Sequence, residues 1–237
     1  MAIELVVFDL AGTTVKDNQD VHRVLWKALS LHGVEISMDD ANAVMGIPKP
    51  IAIRLLLEKR YQGNRPITSD WINEIHRAFV QEMIQFYKTD PSVGEKPGVY
   101  NTFKKLKQSN LKVVVDTGFD RQITDPLIER LGWKHERLID GSVTSDEVAR
   151  GRPFPDLIFK AMELTNVIDA RNVAKVGDTV SDLQEGDAAG CGWIIGVTTG
   201  AFSREVLQKE KHTHLIENIE EVLEILELNV APALTKY

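Results

Sequence analysis

Apolar residues crowd into a few short runs, separated by stretches in which they recur every three or four positions. Residues 3–8 (IELVVF) form a run that is apolar nearly throughout and stops at Asp9. Such a run suits a strand buried on both faces of a parallel sheet, where neither face meets water. Two similar runs lie far downstream: residues 111–115 (LKVVV), ending at Asp116, and residues 173–176 (VAKV), ending at Gly177 and Asp178. A fourth, residues 193–197 (WIIGV), fits another strand. Helical spacing occupies residues 99–106, 120–131 and 155–164 between the later runs. This alternation predicts an α/β fold built on a doubly wound parallel sheet.

Residues 17–90 read differently. Their apolar positions keep helical spacing throughout, as in Val21, Val24, Leu25, Ala28 and Leu29, then residues 51–57, then residues 71–87, and no strand interrupts them. Thr68, Ser69 and Asp70 offer N-cap chemistry for the last of these helices. The pattern predicts a small α-helical cap, residues 17–91, inserted into a core made of residues 1–16 and 92–237. Residues 15–18 and 91–97 become the hinges. The apolar stripe of residues 71–87 can be covered either by the core or by a second subunit, so a homodimer through the cap is one arrangement it allows.

Composition narrows the partners. With 43% hydrophobic and 27% charged residues the chain is an ordinary globular one, which removes disordered and fibrous classes. A net charge of −7 supplies no basic stripe for nucleic acid, so an anionic substrate needs its own local positive site. Cys191 is the sole cysteine and cannot close an internal disulfide. No apolar stretch approaches the ~18 residues of a membrane span, and none follows a basic signal-peptide start. A cytoplasmic protein with no membrane partner is the expectation.

In a doubly wound sheet, ligands bind beyond the carboxyl ends of the strands, so Asp9, Asp116 with Thr117, and Asp178 should meet at one crevice. Two of these sites sit in glycine-containing segments, 9–14 (DLAGTT) and 177–182 (GDTVSD), where glycine allows a tight turn that offers amides to an anion. His22, His32, His76, His135, His212 and His214 form no metal-ligand spacing, and a zinc site at His212 and His214 would lack partners.

These motifs carry a resemblance. Asp9 to Thr14 followed by Val15 resembles the first motif of the haloacid-dehalogenase superfamily. Thr117 after a strand resembles the second, Arg152 in Gly-Arg-Pro the third, and Asp178 with Asp182 the fourth. Within that superfamily the chain looks most like the phosphonatase branch, the phosphonoacetaldehyde hydrolases. That closer likeness rests on residues 11–15 (AGTTV), 45–49 (MGIPK), 151–155 (GRPFP) and 176–182 (VGDTVSD), and it spans essentially the whole chain.

The resemblance implies a Rossmann-like core with a cap and a Mg²⁺-dependent hydrolase whose Asp9 attacks phosphorus. Mg²⁺ would be held by Asp9, the carbonyl of Ala11 and Asp178, with Asp182 as a ligand or orienting acid, since a carboxylate and a phosphoryl group repel without a bridging cation. Thr117 and neighbouring amides, including those near Gly12, Thr13 and Gly118, would hold the phosphoryl group, Arg152 would supply fixed positive charge, and Met45 would line the substrate pocket. Superfamily phosphatases carry a second aspartate two residues after the nucleophile; here it is Ala11. Phosphonatases share that alanine, because a cap lysine, matching Lys49, condenses with the substrate aldehyde and makes the carbon-phosphorus bond cleavable.

Two positions depart from the branch. Ala52 stands where it has a histidine three residues after the lysine, and Phe119 where it has a tyrosine. Lys59, the next lysine along the cap, lies nearly three helical turns from Lys49. The expected substrate is a small carbonyl phosphonate. The alternatives are a phosphomonoesterase of the phosphoglycolate-phosphatase kind, acting on a small organic phosphate, and a non-catalytic phosphate- or metal-binding module, against which the intact Asp9 argues.

Overall fold

The computed structural model describes residues 3–228. Six strands lie in one sheet: β1 (Leu5–Asp9), β2 (Lys112–Thr117), β3 (Gly141–Thr144), β4 (Val173–Gly177), β5 (Trp193–Val197) and β6 (His214–Ile216). All neighbouring pairs are parallel, in the spatial order β3-β2-β1-β4-β5-β6. The four longer runs read as strands fall on β1, β2, β4 and β5. β3 and β6 are only four and three residues long and carry too little alternation to stand out.

Side chains alternate across β1. Leu5 and Val7 pack into one apolar layer with Val114, Leu157, Ile158 and Ala161; Val6 and Phe8 pack into the other with Val113, Val115 and Phe103. Both faces are therefore dry, which is why the run shows no polar alternation.

The helices in chain order are α1 (Asp20–Ser30), α2 (Met38–Asn42), α3 (Lys49–Arg60), α4 (Ser69–Thr89), α5 (Val99–Gln108), α6 (Arg121–Leu131), α7 (Asp156–Thr165), α8 (Val180–Ala189), α9 (Arg204–Leu207) and α10 (Glu221–Ile225). Five of them, α1 to α5, lie between β1 and β2, and the first four fall within residues 17–91. The α4 N-terminus is capped by Thr68, whose hydroxyl accepts the Trp71 amide at 3.3 Å. Its stripe of Trp71, Ile75, Phe79, Met83 and Tyr87 is buried within the chain, as α4 packs on α1, α3 and α6. Each such side chain contributes about 1.5–3 kcal/mol of transfer free energy.

The segments entering and leaving this helical insertion are tied to each other. Val15 forms an antiparallel bridge with Glu95, the Lys16 amide donates to Gly94 O at 3.0 Å, and the Lys96 amide donates to Thr14 O at 2.9 Å. The two expected hinges thus form one double-stranded neck. Among the described residues, no helix is long and apolar enough to cross a membrane.

Candidate active site

The strand order reverses at β1, whose neighbours are β2 on one side and β4 on the other, and that reversal opens a crevice at the carboxyl ends. Register places Asp9 opposite Asp116, and Asp178 follows directly on β4. A cavity lies there, lined by Asp9, Ala11, Met45, Lys49, Thr117, Gly118, Phe119 and Arg152, together with Asp17, Val21, Gly46, Thr179 and Ala201. Residues remote in sequence meet in it because parallel strands all end on the same side.

Beneath the cavity lies a buried ionic network. Arg152, 2% exposed, donates from Nη1 to Asp9 Oδ1 at 2.6 Å, from Nη2 to Asp116 Oδ1 at 2.5 Å and from Nε to Glu185 Oε2 at 3.0 Å, and Nη1 also stands 2.9 Å from Asp182 Oδ1. Lys175, fully buried, reaches Asp116 Oδ1 at 2.5 Å, Glu185 Oε2 at 2.9 Å and Asp182 Oδ1 at 3.1 Å. The guanidinium expected to supply positive charge to a phosphoryl group lines the cavity and is at the same time shared among four carboxylates, Asp9 among them.

Asp116 was expected at the crevice; Lys175 and Glu185 are the members that the sequence reading missed. A signal was present: a lysine inside an otherwise apolar strand buried on both faces must find carboxylates.

Charge balance separates two acidic clusters. Asp116, Asp182 and Glu185 converge, as do Asp9, Asp178 and Asp182, each set with oxygens within 4.8 Å of one another. The first set already encloses the Arg152 and Lys175 cations. Burial pulls Asp116 upward, yet these two cations hold its carboxyl below the ordinary range. The second set has a surplus. Burial raises Asp9 to about 8, with Asp182 and Asp178 adding repulsion against Arg152, and burial and Asp182 raise Asp178 to about 6. Five buried acids face two buried bases in this network, an excess that a divalent cation on oxygen ligands would offset.

Local structure positions the remaining residues. Thr13 donates to Asp178 Oδ1 at 2.7 Å, and the Ala201 amide donates to Asp178 Oδ2 at 2.6 Å. Thr13 is thus committed to orienting Asp178 and does not line the cavity. Gly12 has φ +90°, and a Cβ there would stand 2.3 Å from Asp178 Oδ2, so only glycine lets this loop pass the acid. The Thr117 hydroxyl accepts the Phe119 amide at 3.2 Å, which leaves its proton for a ligand. At Gly118 a Cβ would lie 3.0 Å from Gly46 O, so a side chain would push the β2 loop away from the segment leading to α3. Asp182 closes a capping box at the start of α8, accepting the Thr179 amide at 3.1 Å and its hydroxyl at 2.5 Å.

Lys49 opens α3 and is 3% exposed. Its Nζ donates to Ile47 O at 3.4 Å and lies 5.6 Å from the Phe119 ring centroid and 6.0 Å from that of Phe79. Burial lowers its ammonium to about 8, with Asp9 and Asp17 opposing and Arg152 reinforcing. Ala52 is fully buried. Lys59 pairs with Asp40 at 2.9 Å, away from the cavity. Among the described residues, His212 and His214 bond to Glu210 O and Thr213 Oγ1 and join no metal-ligating group.

The comparisons with known proteins agree with this geometry. The model of the haloacid dehalogenase-like hydrolases matches residues 3–190. A phosphonoacetaldehyde hydrolase of Bacillus cereus (strain B4264) is 32% identical over 95% of this chain and 87% of its own length. One from Bacteroides fragilis is also 32% identical, over 90% and 82%. A solved phosphonoacetaldehyde hydrolase-like protein from Oleispira antarctica superposes with TM-score 0.81 at 20% identity, covering 96% of this chain and 92% of that one. A putative phosphoglycolate phosphatase from Lactobacillus delbrueckii subsp. bulgaricus superposes with TM-score 0.75 at 19% identity, covering 95% and 99%. At those identities the structures speak for the fold alone. The sequence relatives speak for more: this chain belongs to the haloacid dehalogenase-like hydrolases and, within them, resembles the phosphonoacetaldehyde hydrolases.

Proposed function

We propose that the protein is a Mg²⁺-dependent hydrolase of small carbonyl phosphonates, cleaving the carbon-phosphorus bond through Asp9 and Lys49. The observation that carries this reading is one cavity holding a buried carboxylate and a buried lysine amine while the position two residues after the carboxylate is Ala11. A phosphate-ester hydrolase needs an acid there for the leaving alcohol; a carbonyl phosphonate needs an electron sink instead.

In this mechanism the Lys49 amine adds to the substrate carbonyl, and loss of water gives an iminium. Asp9 attacks phosphorus, and the carbon-phosphorus electron pair flows into the iminium to leave an enamine. The resulting aspartyl-phosphate is later hydrolysed. Thr117 offers its hydroxyl proton to a phosphoryl oxygen, and the amides at the β2 terminus add to that hold. Arg152 keeps Asp9 in place, Thr13 keeps Asp178 in place, and Met45 and Phe119 exclude water around Lys49. Mg²⁺ would be held by Asp9, the Ala11 carbonyl and Asp178, with Asp182 beside them, and its positive charge would reduce repulsion between carboxylate and phosphoryl oxygens. The helical insertion, residues 17–91, then acts as a lid that brings Lys49 over Asp9 and moves about the neck at Val15 and Glu95.

The same acids make metal binding pH-dependent. Asp9, raised to about 8, and Asp178, raised to about 6, must both ionise to hold a cation. Cation binding releases these protons, so Mg²⁺ affinity should rise between pH 6 and pH 8 by up to roughly tenfold per unit for each proton released. The thermal shift produced by Mg²⁺ at pH 6 and pH 8 measures this. An equal shift at both would contradict the assignment of these acids.

Reductive trapping tests the proposal directly. Incubation with Mg²⁺ and acetaldehyde, then borohydride and peptide mass spectrometry, should place the mass gain on Lys49; absence of any adduct there in folded protein would reject the imine. A second reading, phosphomonoester hydrolysis, is favoured by Ala52 and Phe119, which stand at the two positions where the branch has a histidine and a tyrosine. It predicts good turnover of p-nitrophenyl phosphate, whose leaving group needs little acid, and poor turnover of alkyl phosphates.

A further inference from the structure

Ala52 and Phe119 put no ionisable group where the branch has a histidine and a tyrosine, and Ala11, which the branch shares, supplies none either. Asp17 is the remaining acid on the wall of the cavity that holds Lys49 and Asp9. It lies on the neck just before α1. Its Oδ1 accepts the amides of Asp20 at 2.6 Å and Val21 at 3.3 Å, which fixes the carboxyl in place, and no hydrogen bond to Oδ2 occurs among the described residues. Asp17 also borders a second cavity with Gln19, His22 and Asn42. His22 is 4% exposed, and among the described residues its Nδ1 has no hydrogen-bond partner.

Resting on the imine reading above, we propose that Asp17 is the catalytic acid and base for the carbonyl end of the substrate. Lys49 adds to the carbonyl carbon to form a carbinolamine. The protonated Asp17 carboxyl gives its proton to the departing hydroxyl, the C–O bond breaks, and iminium, water and Asp17 carboxylate result. After carbon-phosphorus cleavage, water protonates the enamine carbon, the hydroxide left behind takes the proton released as water hydrolyses the aspartyl-phosphate, and a further water adds to the iminium carbon. Asp17 takes the proton from that water and returns to its starting form while the carbinolamine expels Lys49 and the carbonyl product. One proton leaves Asp17 at dehydration and one returns at hydrolysis.

The surroundings suit both roles. Burial raises the Asp17 carboxyl, against the pull of the two amides and His22, so it keeps a proton to higher pH than an exposed acid would. The charged and titratable groups facing it are Asp20 and His22 from α1, Lys49 from α3, Tyr87 from α4, and Lys96 on the neck. Proton transfer of this kind contributes about 10²–10⁴-fold.

The test compares wild type, Asp17→Asn and Lys49→Arg as full chains with Mg²⁺ and acetaldehyde. The readout is the rate at which cyanoborohydride fixes label on Lys49 between pH 5 and pH 9. Asn caps a helix as well as Asp, so Asp17→Asn keeps the α1 start and can be checked by its melting temperature. The expected result is labelling slowed by about 10²-fold or more in Asp17→Asn, with partial recovery in Asp17→Glu. Labelling of Asp17→Asn at the wild-type rate and pH profile would overturn the role of Asp17 and leave the imine standing. A wild type that never labels Lys49 would overturn both, and the two failures are told apart by the wild-type lane alone.

Discussion

Asp9→Asn is expected to lower turnover of a carbonyl phosphonate by at least about 10³-fold, because Asp9 is the proposed nucleophile and Asp17, the other carboxylate on the cavity wall, is tied to the Asp20 and Val21 amides. The isosteric amide keeps the shape of the site, and its carbonyl can still accept the Arg152 Nη1 proton now donated to Asp9 Oδ1. The fold should therefore persist. In the metal-free protein the change should even be favourable at high pH. The folded Asp9 carboxyl is held at about 8, above its ordinary 3.8, so its ionisation works against the folded state as pH rises through that range. Phosphate release reports the first effect. Metal-free melting temperatures at pH 9, higher for Asp9→Asn than for wild type, report the second. Residual turnover near the wild-type level would remove Asp9 from the nucleophile's role.

Lys49→Arg is the second large effect. Arginine keeps a positive charge between Phe79 and Phe119 but has no free-base amine at working pH, so it cannot form the imine. Carbon-phosphorus cleavage should fall by at least about 10³-fold, since without the electron sink the departing carbon would carry an unstabilised charge. The wild-type pH profile supplies an independent check. Burial lowers Lys49 from an ordinary 10.5 to about 8, and only the neutral amine attacks. Addition of the amine to the carbonyl, the step before Asp17 acts, should climb as pH rises toward 8 and level off above it, where an ordinary surface lysine would keep climbing past 10. Carbon-phosphorus cleavage retained in Lys49→Arg would eliminate the Schiff base, and the phosphomonoesterase reading would then take its place.

The lysine also shows how position and environment divide the work between sequence and fold. A lysine between Pro48 and Pro50 carries the local signature of a solvated loop. The structure makes it the first residue of α3 and covers it with Phe79 from α4 and Phe119 from the β2 loop, neither of them near it in sequence. Its lowered ammonium comes from that burial, which no local pattern contains.

Much of the architecture was legible along the chain because burial writes itself into periodicity. The dry strands β1, β2, β4 and β5 read as unbroken apolar runs, the helical insertion as apolar positions every three or four residues, and Asp9, Thr117 and Asp178 as polar residues at strand ends. The order of a parallel sheet then made their convergence a matter of topology. Short β3 and β6 were not legible, since three or four residues hold too few periods to distinguish strand from loop.

What the tertiary structure alone decided is who pairs with whom. Arg152 reads as a substrate-facing cation, yet four carboxylates from β1, β2 and α8 surround it; Lys175 reads as a strand residue, yet it neutralises Asp116 and Glu185. Thr13 turns to Asp178, and Asp17 reaches the cavity wall. Hydrophobic burial follows from the identity of each residue and leaves a repeating trace in sequence. Electrostatic pairing depends on distances of a few ångströms between segments that can lie 143 residues apart, as Asp9 and Arg152 do, and only the folded chain sets those.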